Sequence, residues 1–182
     1  MTRLHTLPTF ASEKEQTLNA IVETARGSRN KFNYDEELDL FRLAGVLPAG
    51  AAFPFDFGFI PSTLGEDGDP IDVLLLLDEE AFAGCLVETR LAGVIEAEQT
   101  EEEETVRNDR LIGVAVQSQL YRDVRTLDDL SDPLIDSIVH FFVSYNEFKG
   151  KTFTPIGRYG PKRALALVES ARQRFKREKK KR

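Results

Sequence analysis

The apolar run Ile71 to Leu77, interrupted only by Asp72, constrains the fold of this chain more than any other stretch. A run this short and this apolar suits a strand buried on both faces, so cover is expected on both sides of it. Around it lie segments of alternating apolar and polar residues. Asn19 to Thr24 and Glu37 to Leu43 read as half-buried strands, with Gly27-Ser28 and Tyr34-Asp35 as turn material between them. Phe53 to Ile60 is aromatic and extended, and Pro54 favours an edge or a strand start. Leu86 to Ile95 and Leu111 to Val116 add two strands, and the acidic run Glu101 to Glu104 between them reads as an exposed hairpin tip or loop. Helices come late. Asp132-Pro133 opens one, with Ile135, Ile138, Val139, Phe142 and Tyr145 at helical spacing. Pro161 opens another, with Leu165, Val168, Ala171 and Phe175 on one face. Strands first and helices afterwards indicate an α+β, β-rich domain built on an antiparallel barrel or sheet. At 182 residues the chain is expected to form a single domain, 1–182.

Charge narrows the class of function. From Pro161 onward there are ten basic and two acidic residues, which leaves 14 basic against 29 acidic in the first 160. An acidic body of net charge −15 repels nucleic acid and favours hard divalent cations, so no nucleic-acid partner is expected. The basic segment of about residues 161–182 reads as a solvated helix end, or as a contact for RNA or an acidic partner. One cysteine, Cys85, precludes an intrachain disulfide. No signal-peptide pattern opens the sequence, and the longest apolar stretch is far below the ~20 residues of a membrane span. A cytoplasmic protein without a membrane partner is the expectation.

The segment Glu66-Asp67-Gly68-Asp69-Pro70-Ile71-Asp72 carries the chemistry. A tight turn through Gly68 and Pro70 aims Asp67 and Asp69 at one point, and Asp72 joins them at the mouth of the buried strand. Three anions so close repel unless a cation neutralises them or their pKa values rise. Mg²⁺ meets that need, since it takes oxygen ligands and keeps waters for substrate phosphates. Asp-Gly and Asp-Pro are also ordinary turn dipeptides, and these residues alone leave that reading open. An EF-hand loop is a poor match, because its sixth position requires glycine and its twelfth glutamate, where this chain has Asp72 and Asp78. Candidate phosphate cations stand at strand ends: Arg26, Arg29, Lys31, Arg42 and Arg110. His140 reads as a packing or hydrogen-bonding residue, Cys85 as a small buried thiol, and Phe141, Phe142 and Phe148 as core, while Ser62 and Ser118 lack His/Asp partners for nucleophilic chemistry.

Phe53-Pro54-Phe55-Asp56-Phe57-Gly58-Phe59-Ile60, followed by Asp67-Gly68-Asp69-Pro70-Ile71-Asp72, resembles the signature block of family I inorganic pyrophosphatases. The likeness runs from about Asn19 to Phe148, with His140-Phe141-Phe142 and Tyr145 in the late helix. It implies a five-stranded OB-like barrel with flanking helices, Mg²⁺-dependent hydrolysis of pyrophosphate or a similar small phosphate, and a homo-oligomer, a hexamer in the bacterial type. Residue by residue, Asp67 and Asp72 match metal-binding aspartates. Asp69 matches the aspartate that acts on the attacking water, and Glu23 a further acidic site residue. Lys31 and Arg42 match phosphate-binding cations, and Tyr145 a phosphate-binding tyrosine.

The departures are equally specific. Phe53 and Phe57 stand where the family has tyrosines, Asn33 where it has a glutamate, and Asn146 where it has a lysine. The family's second acidic segment is altered. Aligned on the following strand, Asn108 faces an aspartate and Arg110 a lysine; Glu98 stands in for the first aspartate, and Asp109 serves if the loop is shifted by one. Arg29, Arg158, Lys162 and Arg163 are added cations that compensate or admit another phosphate ester. Two further functions follow: a hydrolase for another phosphoanhydride or phosphate ester, motivated by Phe53, Phe57 and Asn146, and a non-catalytic phosphate- or metal-binding protein, motivated by Asn33 and Asn108.

Overall fold

The structure is a computed structural model that describes residues 3–181; Met1, Thr2 and Arg182, the last residue of the basic segment, lie outside the described residues. Ten strands and two long helices follow one another. The strands are β1 (Phe10–Ser12), β2 (Thr17–Thr24), β3 (Asn30–Asp35), β4 (Leu40–Val46), β5 (Asp56–Phe59), β6 (Asp72–Leu76), β7 (Leu86–Glu101), β8 (Glu104–Arg107), β9 (Arg110–Ala115) and β10 (Thr152–Tyr159). Helix α1 (Asp132–Phe148) precedes β10, and α2 (Pro161–Lys179) follows it. Strands β2, β5, β6, β9 and β7 are joined in that order, and β7 pairs back to β2. The ring is therefore closed: a five-stranded OB-like barrel flanked by helices, as the family resemblance implied. It is not wholly antiparallel, because β6 and β9 run parallel, with Val73 opposite Leu111.

Strand β6 is the buried centre that its sequence promises. Val73 to Leu76 are fully buried, and alternate residues serve different cores. Leu74 and Leu76 pack in the cluster that contains Ile135, Ile138 and Phe142 of α1; Val73 and Leu75 pack with Ala164 and Val168 of α2. Burying each such side chain stabilises by about 1.5–3 kcal/mol, which is why the helices seal opposite faces. Gly58 on β5 is fixed by close approach, since a Cβ there would lie 1.9 Å from the Ile21 carbonyl oxygen of β2.

Several local expectations are corrected. Tyr34-Asp35 is not a turn but the end of β3, which pairs with β4 to form a hairpin beside the barrel; the turn falls after Asp35, where the Asp35 carboxylate accepts from the backbone N–H groups of Glu37 and Leu38. Strand β10 lacks a clear apolar alternation and escaped the sequence reading; it lies against the second half of β7. His140 is exposed on α1, and Phe148 is 57% exposed at its end, so neither is core. Cys85 is partly exposed rather than buried. Among the described residues no helix is long and apolar enough to cross a membrane.

Candidate active site

A cleft of about 630 Å³ opens where the ends of β2, β6 and β9, the β3–β4 hairpin, the β7–β8 hairpin and the end of α1 meet. One wall is the aspartate turn. The Gly65 N–H donates to the Asp69 carbonyl at 2.6 Å, and the Asp69 N–H donates to Asp67 Oδ1 at 3.2 Å. These bonds close the bend and set Asp67 and Asp69 on the cleft, next to Asp72 at the start of β6. Burial in the concave wall, with Asp72 nearby, pushes the Asp67 carboxyl up to about 6. Asp69 is raised for the same two reasons in the same order. Both keep much of their surface open to the cleft. They are thus crowded by protein on one side and wet on the other, and solvent moderates their repulsion.

The opposite charges sit across from this turn. Glu23 lies where the register of β2 against β5 shifts between Val22 and Thr24, and Lys31 flanks a similar shift in the β3–β4 hairpin. Such bulges re-aim side chains, and here they bring Lys31 Nζ to 3.0 Å from Glu23 Oε2. Both side chains are nearly buried, at 9% and 11% exposure. The Tyr34 N–H donates to Glu23 Oε1 at 2.8 Å, Lys31 also donates to the Phe32 carbonyl at 2.9 Å, and its ammonium stands 4.5 Å from the centre of the Phe57 ring. Burial pushes the Glu23 carboxyl up, and Lys31 draws it part of the way back. Arg110, 4% exposed at the start of β9, forms an ion pair with Asp72 Oδ2 at 2.5 Å and donates to Asn108 Oδ1. Its guanidinium is flanked by the rings of Phe57, Phe142 and Phe153 at 5.1–6.0 Å, and its Nε is buried with no acceptor. Tyr145 of α1 completes the floor, stacked on Phe141 and edge-on to Phe53; burial raises its phenol.

Of the sequence candidates, Glu23, Lys31, Asp67, Asp69, Asp72, Arg110 and Tyr145 line this one cleft. Four do not. Arg42, opposite Asn33 in the hairpin, is 67% exposed and pairs with Asp35 at 2.9 Å; the residue opposite Lys31 is Gly45. Arg29 donates to the Leu47 carbonyl and stays in its own loop. Glu98 and Asp109 fail by strand parity. In the β7–β8 hairpin Gln99 faces Val106 and Glu101 faces Glu104, and this set lines the cleft; Glu98 is paired with Arg107 on the other face. Asp109 turns away to accept from Arg107 at 2.8 Å and from the Ala97 N–H. Beside Glu101, Val106 and Glu104 this hairpin presents Gln99 and Asn108, bonded to one another at 3.1 Å. Arg158 and Arg163 pair with Asp136 and Glu96, outside the cleft. Gln99, Lys149 and Lys151 are cleft residues the sequence reading missed. The signal for Gln99 was the alternation of β7 beyond Ile95, and for the lysines the Lys149-Gly150-Lys151 turn before an unrecognised strand.

Among the described residues no three acidic, histidine or cysteine side chains already converge tightly enough to cage an ion. The donor set nevertheless suits a hard cation: oxygen ligands only, two of them raised by burial and by the nearby Asp72, on an open wall that leaves room for the waters such an ion keeps. Arg110 pairs with Asp72 through Oδ2, so an ion at that oxygen competes with the pair.

Comparison with known proteins agrees with this geometry. A family model described as inorganic pyrophosphatase matches residues 20–176. The inorganic pyrophosphatase of Thermus thermophilus is 34% identical over 179 residues, covering 97% of this chain and 99% of the relative. That of Geobacillus stearothermophilus is 33% identical over 167 residues, covering 91% and 98%. The crystal structure of the Thermus thermophilus enzyme superposes with a TM-score of 0.88 at 33% identity, over 96% of this chain and 99% of that one. The Helicobacter pylori enzyme superposes with a TM-score of 0.82 at 30% identity, over 93% and 98%. A barrel closed by β2 and β7, an aspartate turn facing buried cations, and a match across most of the sequence lead to one conclusion: the chain belongs to the inorganic pyrophosphatase family.

Proposed function

We propose that the chain hydrolyses inorganic pyrophosphate to two phosphates with the help of divalent cations, specifically Mg²⁺. The observation that carries this is a single cleft lined by Asp67, Asp69 and Asp72 together with Lys31 and Arg110. A linked pair of phosphates needs both: carboxylates to hold hard cations, and fixed positive charge for the phosphoryl oxygens. Asp67, Asp69 and Asp72 would hold the ions, whose chemistry is to lower the pKa of a bound water and to neutralise the leaving phosphate.

The remaining work falls to side chains. Asp69, open to the cleft and made more basic by burial and by Asp72, takes the proton of the attacking water. Lys31 holds its charge in place through Glu23 and meets one phosphoryl oxygen; Arg110 presents its planar fork to another. Tyr145 donates its hydroxyl, which burial keeps protonated. Phe53 and Phe57 bring no hydroxyl to the site. They pack around the Lys31 ammonium, with Phe57 at 4.5 Å, and keep its surroundings dry, which strengthens its field.

A second reading rests on the amides. Asn33, Gln99 and Asn108 line the cleft without adding charge, which supports a site that binds fewer ions or accepts a different phosphoanhydride. A homo-oligomer is implied by the family resemblance, and exposed apolar side chains such as Phe82, Leu86 and Leu120 support it. The test of substrate is a panel of pyrophosphate, tripolyphosphate, ATP and a phosphate monoester at fixed Mg²⁺. Pyrophosphate is expected to release phosphate fastest; a faster member elsewhere in the panel overturns the assignment.

A further inference from the structure

The turn between α1 and β10 carries two lysines into the cleft. Asn146 cannot supply a cation there, being 2% exposed with its Nδ2 donating to the Phe142 carbonyl at 2.8 Å inside the helix. The chain then leaves α1 through a tightly specified turn. The Gly150 N–H donates to the Glu147 carbonyl and the Lys151 N–H to the Asn146 carbonyl, both at 2.9 Å, with Gly150 at φ +76°. This is a Schellman arrangement, and only glycine takes that backbone at no cost. It fixes the directions in which Lys149 and Lys151 leave the chain.

Among the described residues four lysine and arginine side chains line the cleft, and three of them are committed to carboxylates: Lys31 to Glu23, Arg110 to Asp72, and Lys151 to Glu101 at 2.7 Å. Lys149 differs. Among the described residues its Nζ meets no carboxylate; it lies 3.3 Å from the Tyr145 hydroxyl and 5.0 Å from the centre of that ring. An ammonium held against an aromatic face, with no counter-ion in reach, is poised for an anionic ligand.

Resting on the pyrophosphate reading above, we propose that Lys149 is a substrate-binding cation of this cleft, acting with the Tyr145 hydroxyl on one phosphate group in place of the lysine that Asn146 lacks. Its position at the end of α1 also suits a cation that merely favours the helix terminus. Burial, and then neighbouring Lys151, holds the Lys149 ammonium below the usual lysine range, which agrees with a crowded cationic wall.

The test compares wild type with Lys149→Met, Lys149→Arg and the exposed Lys14→Met as control, using calorimetric binding of imidodiphosphate with Mg²⁺, steady-state hydrolysis of pyrophosphate, and thermal melting. Lys149→Met is expected to weaken imidodiphosphate binding and raise KM by about tenfold, the scale of one charge-assisted hydrogen bond. Lys149→Arg should recover most of that loss, Lys14→Met should change nothing, and all melting temperatures should agree. Undiminished binding in Lys149→Met, or an arginine variant as weak as the methionine one, overturns the role of Lys149 while leaving the hydrolase intact. Wild type that binds imidodiphosphate but releases no phosphate overturns the hydrolase while the binding series still judges Lys149. Wild type that binds none overturns both.

Discussion

Replacing Lys31 by methionine removes the ammonium that compensates Glu23 and keeps most of the side-chain volume. Glu23 would then be left with the Tyr34 N–H as its hydrogen-bond donor, in surroundings that leave it 11% exposed. Breaking a buried ion pair from one side costs about 3–5 kcal/mol when the stranded charge stays ionised. A carboxyl has an escape, since it picks up a proton, so the loss depends on pH. Burial already raises Glu23, and without Lys31 to offset this, its folded pKa rises further. An acid raised on folding binds more protons folded than unfolded, so stability falls as pH rises from the unfolded value through the folded one. Urea unfolding at pH 5 and pH 8 reads this directly. Lys31→Met should lie near wild type at pH 5 and fall about 2–4 kcal/mol below it at pH 8. Adding Glu23→Gln should restore most of the stability but none of the turnover. A deficit that is equal at both pH values, or a double variant no more stable than the single, would refute the reasoning.

Other consequences are equally open to measurement. Metal binding should release protons from the aspartate turn, so calorimetric Mg²⁺ affinity should rise with pH up to about 6, where Asp67 titrates, and then level off; Asp67→Asn should flatten that rise. Without metal the sign for stability is opposite. Asp67 is raised in the folded state, so the apo protein should lose some stability as pH climbs from the unfolded aspartate range to about 6, and Mg²⁺ should return it. Arg110→Met frees Asp72 and should strengthen Mg²⁺ binding while lowering turnover; weaker Mg²⁺ binding would show that the pair does not compete with the ion. Gly58→Ala forces a Cβ against the Ile21 carbonyl and should cost more than about 3 kcal/mol, whereas Gly45→Ala, which meets nothing within 4 Å, should melt close to wild type.

Some of this was legible in the residues alone. Strand β6 and the turn before it could be read because their signals are local: an apolar run too short for anything but a buried strand, and acids spaced by glycine and proline. The α1 and α2 starts were legible for the same reason, through proline in the first turn of each. What failed was non-local. Glu98 and Gln99 are adjacent in sequence, and only the pairing of β7 with β8 decides which of them faces the cleft. Arg42 looked like a strand-end cation, but the pairing of β3 with β4 sets it opposite Asn33, where it stays exposed and pairs with Asp35. Lys149 and Lys151 drew no notice because β10 was not recognised, and without that strand there was no turn to place them. Exposed Phe148 and His140 show the same limit: residue type suggests burial, but only the packing of the helix decides what is covered.

The account depends on Asp69 acting as the base in a cleft that also gathers cations and phosphate. The measurement that bears on it most directly is phosphate release from pyrophosphate by wild type and by Asp69→Asn, each with Mg²⁺ and after chelation. Wild type should release two phosphates per pyrophosphate only when the metal is present. The asparagine variant, folded to the same melting temperature and still binding imidodiphosphate, should lose at least about a hundredfold in turnover. A variant that turns over at the wild-type rate, or a wild type indifferent to chelation, would contradict it.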